Sequence, residues 1–140
     1  MQAFADGKQD ALNFFNSYVN AANTYSNTVA DMYSPSAIII RQVVKPDGTT
    51  ANAYTDTATY IKQMKIGQAG AKLRGYTNSY TNVVVTDLGN GSYKISSLRQ
   101  PIGETYKLKT YMIIKKINGK WQITEEMMQT KVQVFLKYAK

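Results

Sequence analysis

Apolar side chains recur at Leu12, Phe15, Val19, Ala22, Tyr25 or Ser26, Val29 and Met32, with Ala11, Tyr18 and Tyr33 beside the stripe. Steps of three and four are the period of an amphipathic helix, so residues 8–33 are predicted to form one long helix or two joined ones. The stretch 20–27 is poor in strong helix formers, which places a break near 23–27 and a second short helix at 28–33. Ser34-Pro35 ends it, because a residue before proline avoids the helical region. Residues 37–44 are rich in Ile and Val and read as a strand. Pro46-Asp47-Gly48 is a turn. Residues 56–64 form a short helix capped by Thr55 or Asp56, and 67–75, with three glycines, is read as a loop.

The remainder has the shorter period of a strand meander. Strands are predicted over 76–88 and 93–100, joined at Gly89-Asn90-Gly91, and over 105–117 and 121–129, joined at Asn118-Gly119. Asn-Gly suits the positive φ angles of a tight hairpin turn. Pro101-Ile102-Gly103-Glu104 makes a looser connection between the two hairpins. Residues 132–138 read as either a strand extension or a helical tail. No repeat, low-complexity tract or linker interrupts the pattern, so residues 1–140 are expected to be one domain with its core at 8–130.

Composition narrows the chemistry. A chain of 140 residues buries enough surface to fold without a metal or disulfide. It has no Cys and no His. Thiol nucleophiles, Ser-His-Asp and Cys-His catalysis and Cys- or His-based metal sites are therefore excluded, and no cofactor is expected. The net charge is +8 and uneven. Residues 1–61 hold three basic and five acidic side chains, and the rest hold fourteen and four. The lysines are dispersed, with no basic run longer than two, so they read as a solvated sheet face and no nucleic-acid partner is predicted. No apolar run approaches the roughly 18 residues of a membrane-spanning helix. The start, Met1-Gln2-Ala3-Phe4-Ala5-Asp6, lacks the basic and apolar regions of a leader. The missing Cys and the many Asn, Thr, Ser and Tyr residues suggest an exported bacterial protein, periplasmic or secreted, whose leader precedes Gln2; a cytoplasmic location is the alternative.

The order of elements resembles the nuclear-transport-factor-2-like superfamily, including its SnoaL-like members, over roughly residues 8–130. Two segments carry the resemblance. Asp31-Met32-Tyr33-Ser34-Pro35-Ser36-Ala37 looks like the family's junction from helix to first strand, and Ile117-Asn118-Gly119-Lys120-Trp121-Gln122-Ile123 like its final hairpin. The resemblance implies an α+β fold, a cone-shaped, cystatin-like roll. In it a long N-terminal helix and short helices pack in a curved, mainly antiparallel sheet that leaves a pocket at its open end. Members include isomerases, dehydratases, epoxide hydrolases, cyclases and adaptors, so the fold alone does not choose an activity.

Ketosteroid-isomerase-like members carry a Tyr on the first helix, which Tyr18 resembles. Their base falls at or near Arg41, and their later acid near Tyr111. An Arg, with a pKa above 12, cannot abstract a proton. Dehydratase-like members rely on His, and the Asp-Arg-Asp set of epoxide hydrolases is incomplete here. If Asn118-Gly119 is a two-residue turn, Met112 faces Glu125 and Thr110 faces Met127, on an apolar sheet side that points inward. Glu125 is then the pocket acid, with Arg41 or Arg99 as its partner. It would be a structural ion pair, a ligand anchor or an acid/base group; a register slip of one residue would turn Glu126 inward instead.

The expected site is thus ligand-binding, formed by Tyr18, Arg41, Arg99, Tyr111 and Glu125, with no catalytic residue and no metal. The expected function is a binding or interaction domain for a small, mainly apolar ligand. The alternatives are a SnoaL-like lyase, isomerase or hydrolase using Glu125 or Asp31, and a subunit of an envelope assembly. Eleven tyrosines suit both a pocket and an interface, and a homodimer through the sheet face is expected.

Overall fold

In the computed structural model, which describes residues 6–138, the N-terminal pattern forms helix α1 (Asp6–Asn23) and a 3-10 helix (Asn27–Met32). The break falls where helix formers are scarce. Tyr25 adopts a left-handed φ of 59°, and the Ser26 side chain caps the 3-10 helix by accepting the Thr28 N–H. The fully buried seam of α1 is Ala11, Phe15, Tyr18 and Ala21. Val19 and Ala22 pack beside it, partly exposed.

Strand β1 (Tyr33–Val44) starts four residues before the expected position. The extended conformation imposed ahead of Pro35 continues into a strand as readily as into a turn. Proline there removes no needed donor, because pairing is interrupted between Tyr33 and Ile38. Strand β2 (Thr50–Thr55) pairs antiparallel with β1 after a turn in which Gly48, at φ 87°, donates to the Lys45 carbonyl. It was not foreseen, since Ala51, Asn52 and Ala53 give a weak strand signal.

Helix α2 (Thr57–Arg74) is capped by Asp56, whose side chain accepts the Thr59 N–H at 2.9 Å. The loop expected at 67–75 is helix instead, ending only at Gly75 with φ 64°. One exposed helical glycine costs about 1 kcal/mol relative to Ala, and Ala69, Ala71, Lys72 and Leu73 favour continuation. Only Thr57 and Tyr60 of α2 are buried; Tyr60 joins the core, with Ile61 and Met64 packed partly exposed against it.

The meander runs as expected: β3 (Asn78–Gly89), β4 (Ser92–Pro101), β5 (Leu108–Ile117) and β6 (Lys120–Thr130), followed by a 3-10 helix (Gln133–Tyr138). Asn90-Gly91 and Asn118-Gly119 both have positive φ, as type I′ turns require. The six strands form one curved sheet in the order β2-β1-β6-β5-β4-β3. β1 and β6 are parallel and every other neighbouring pair is antiparallel. The α1 seam and Val29 pack on the inner face at Ile39, Ile95, Met112, Ile114 and Ile123, which makes the single core of a helix-on-sheet architecture. No described helix is long and apolar enough to cross a membrane.

Candidate functional site

The site begins with a break in register. Ile114 pairs with Ile123, but the preceding Ile113 pairs with Glu125, so Thr124 is an extra residue on β6. Its hydroxyl donates to the Ile113 carbonyl at 3.2 Å. A bulge of one residue reverses which later side chains face the core. Met112 therefore faces Glu126, and Thr110 faces Met128. The expectation that Glu125 points inward is corrected: Glu126 is the interior acid, 1 % exposed.

Tyrosines surround that acid. Tyr33, at the start of β1, donates its hydroxyl to Glu126 Oε2 at 2.8 Å and lies 3.5 Å from the Tyr60 hydroxyl. The Tyr33 and Tyr60 rings meet edge to face at 5.4 Å. Burial pushes the Glu126 carboxyl above its ordinary value. Arg41, then the hydroxyls of Tyr33, Tyr60 and Tyr18, partly offset that push. Burial likewise raises Tyr18, Tyr33 and Tyr60, and proximity to Glu126 raises each further. A carboxyl in an apolar, low-dielectric setting keeps its proton to higher pH.

Arg41 projects from the same sheet face, its guanidinium 4.6 Å from the centre of the Tyr60 ring. Burial opposes its charge, but Tyr60, Glu126 and Tyr33 outweigh that and hold its pKa up. Among the described residues four buried side-chain atoms have no hydrogen-bond partner: Arg41 Nη1, Ser97 Oγ, Arg99 Nε and Glu126 Oε1. By strand alternation all four belong to the inner face, since Arg41 follows Ile39 by two, Ser97 and Arg99 continue the series of Ile95, and Glu126 faces Met112. Buried polar groups are rarely left unpaired, so their gathering on one face marks that face as more than packing.

Two cavities open onto this interior. One, of about 190 Å³, lies between α1 and α2 and reaches Tyr18, Val29, Tyr60 and Met64. Its rim is tied by side-chain bonds. Asn23 donates to the Asn78 carbonyl at 2.9 Å and accepts the Asn78 N–H at 3.1 Å. Tyr25 bonds the Tyr76 carbonyl, and Gln68 the Ser26 carbonyl, each at 3.0 Å. The second, of about 200 Å³, is lined by Arg41, Thr55, Tyr60, Gln63, Met64 and Phe135. Tyr60 and Met64 of α2 border both.

Of the residues singled out in the sequence, Tyr18 and Arg41 each line one of these cavities. Arg99 is also internal, but its guanidinium is held by neighbours: Asn78 Oδ1 at 3.0 Å, the Tyr76 hydroxyl at 3.4 Å and the Gln129 carbonyl at 2.8 Å. Among the described residues its hydrogen-bond partners include neither glutamate. Tyr111 and Glu125 lie together on the opposite, outer face, where the Tyr111 hydroxyl donates to Glu125 at 2.5 Å and Lys94 sits 4.3 Å from the Tyr111 ring. The bulge accounts for Glu125; Tyr111 alternates with the inward Met112. Asp31 is exposed within the 3-10 helix (Asn27–Met32). Sequence reading missed Tyr33 and Tyr60. Tyr33 follows the helix stripe and carried a signal; Tyr60 sits in a helix without apolar periodicity and carried none. Among the described residues no group of three His, Cys, Asp or Glu side chains gathers to hold a metal.

Curved sheet, enclosed helix and open-ended cavity together define the nuclear-transport-factor-2-like, cystatin-like cone fold. Solved structures share it. A nuclear-transport-factor-2-like protein of unknown function from Pseudomonas putida superposes with a TM-score of 0.71 at 9 % identity, over 89 % of this chain and 87 % of that one. A cystatin-like domain of unknown function from Nostoc punctiforme gives 0.62 at 17 % identity, over 93 % and 83 %. A candidate scytalone dehydratase from Novosphingobium aromaticivorans gives 0.63 at 13 % identity, over 89 % and 86 %. At these identities the likeness is one of fold. No protein-family model matches the chain, and no curated protein matches its sequence.

Proposed function

We propose that this protein binds a small, largely apolar molecule in the mouth of its cone. The observation that carries the reading is the cavity between α1 and α2, whose walls are Tyr18, Val29, Tyr60 and Met64 and whose polar edge is Asn23, Gln68 and Asn78. Apolar walls with a few convergent polar groups are the usual form of a small-molecule site. The test is a thermal-shift and cocrystal screen of ring-sized apolar compounds, repeated on Ala22→Trp, which fills the cavity. Hits that the substitution abolishes support binding. An empty screen, with the cavity closed by side chains in a crystal, overturns it.

A second reading, acid/base catalysis by Glu126, is favoured by one observation: a carboxyl held toward its protonated form beside tyrosine hydroxyls that border the cavity. Glu126→Gln would then keep binding and lose turnover. A Glu126 that titrates at the ordinary value of about 4.3 rules this reading out.

We also propose a homodimer through the outer sheet face, on which Ile38, Tyr54 and Val84 stand exposed and Tyr111 adds a further aromatic surface. Exposed apolar area of this kind commonly marks an interface. A dimeric mass by light scattering, reduced to monomer by Ile38→Lys, is the expected result; a monomeric mass at all concentrations overturns it.

A further inference from the structure

We infer that the second cavity, which shares Tyr60 and Met64 with the first, takes an organic anion, a small carboxylate on a flat apolar body, with Arg41 as its counter-charge; this rests on the binding reading above and extends it to the neighbouring cavity.

The interior charges do not balance. Among the described residues the inner face carries two guanidinium groups, Arg41 on β1 and Arg99 on β4, against one carboxyl, Glu126 on β6. Arg99 gives its two terminal nitrogens to a side-chain amide oxygen, a hydroxyl and a backbone carbonyl and leaves Nε without a partner. Arg41 is less well supplied. Its Nη1 is buried without a partner, and its guanidinium lies 4.6 Å from the centre of the Tyr60 ring. Glu126 turns one oxygen to Tyr33 and leaves the other unbonded. Retention of a proton by that carboxyl would leave Arg41 still less compensated. A guanidinium cannot relieve its burial by losing its proton. Tyr60, Glu126 and Tyr33 offset that burial, but Nη1 is left a buried donor without an acceptor, which is costly. An anion in the adjoining cavity would supply that acceptor.

The surroundings select among anions. Arg41 opens onto the cavity of about 200 Å³ whose other walls are Tyr60, Met64 and Phe135, with Gln63 and Thr55 as neutral polar groups. A cavity of about 150 Å³ already admits a benzene-sized molecule. One guanidinium with an apolar wall suits a monoanion bound side-on through two oxygens, the ring lying against Phe135 and Met64. A phosphate dianion would bury a second charge with no partner. Asp56, at the neighbouring groove, is already engaged, accepting the Thr59 N–H and hydroxyl at 2.9 and 2.8 Å.

The test is isothermal titration of the full chain with benzoate, with its neutral isostere benzamide and with inorganic phosphate. Benzoate is expected to bind at least tenfold more tightly than either. Arg41→Met should abolish that preference. Phe135→Ala, on the partly exposed 3-10 helix, should weaken benzoate while leaving the melting temperature within a degree or two, which separates loss of binding from loss of fold. Equal binding of benzoate and benzamide, unchanged in Arg41→Met, overturns the anion inference and leaves the binding function standing. Phosphate as tight as benzoate overturns the carboxylate assignment. Failure of all three probes, together with an empty apolar screen, overturns both the inference and the binding function.

Discussion

The Tyr33 hydroxyl donates to Glu126 Oε2 at 2.8 Å across 93 positions of sequence, joining the first residue of β1 to the middle of its parallel neighbour β6. Removing it in Tyr33→Phe leaves that oxygen without its hydroxyl donor. Stability should fall by about 1–3 kcal/mol, the usual cost of orphaning a buried polar group, with the Glu126 pKa moving further up. Denaturant unfolding and carboxyl titration by NMR measure the two effects.

Glu126 also gives stability a pH dependence. Its folded pKa lies above the ordinary value of 4.5, so as pH rises past that value the unfolded chain releases a proton that the native state keeps. The stabilisation is complete below pH 4.5 and is lost as pH climbs through the folded pKa, by about 1.4 kcal/mol for each pH unit inside that window. Glu126→Gln carries no such proton. Relative to the wild type, its melting temperature should rise between pH 4 and pH 8; a constant difference would show that Glu126 is not shifted.

Glu125 should behave as the outer residue it is. Tyr111 is held above its ordinary pKa by burial and then by Glu125. Glu125→Ala should bring the Tyr111 titration back toward 10 at a stability cost of about 1 kcal/mol or less, because the bond is half exposed. Ultraviolet titration and thermal melts test this. Glu126→Ala, inside the core, should cost several times more.

Gly7 is fixed by a neighbour rather than by its backbone. A Cβ there would lie 2.0 Å from the Tyr93 hydroxyl and 2.9 Å from its ring carbon, and Tyr93 packs edge-on against Trp121 at 5.9 Å. Gly7→Ala should destabilise by about 1–3 kcal/mol, the range for overpacking, and shift the Trp121 fluorescence. Adding Tyr93→Leu, which removes the distal ring atoms, should recover most of the loss; simple additivity of the two changes would refute the clash.

Much of the fold was legible where a local rule acts alone. The cap at Asp56, one of the two positions read for it, Asn-Gly at two hairpins and the helical period of α1 each have a cause within a few residues. The buried seam of α1, however, runs through Ala11, Phe15, Tyr18 and Ala21 rather than through Leu12, Phe15, Val19 and Ala22. Signals that compete locally misled. Gly67 and Gly70 read as a loop, yet strong helix formers around them and the cap at Gly75 carry α2 on. The Ala-rich β2 gains its order from pairing with β1, which no local pattern records.

By itself, then, the sequence determined α1, the meander and their order, though not β2 or the length of α2, together with the absence of thiol and imidazole chemistry and the place of Tyr18 and Arg41 as inward residues. Which glutamate lies inside was decided only by the tertiary structure. Strand alternation has a period of two, so the extra Thr124 reverses every later side chain on β6, and no local preference distinguishes Glu125 from Glu126. The same holds for the tyrosine cage. Tyr18, Tyr33 and Tyr60 come from three separate elements, and their meeting around one carboxyl depends on long-range pairing of β1 with β6.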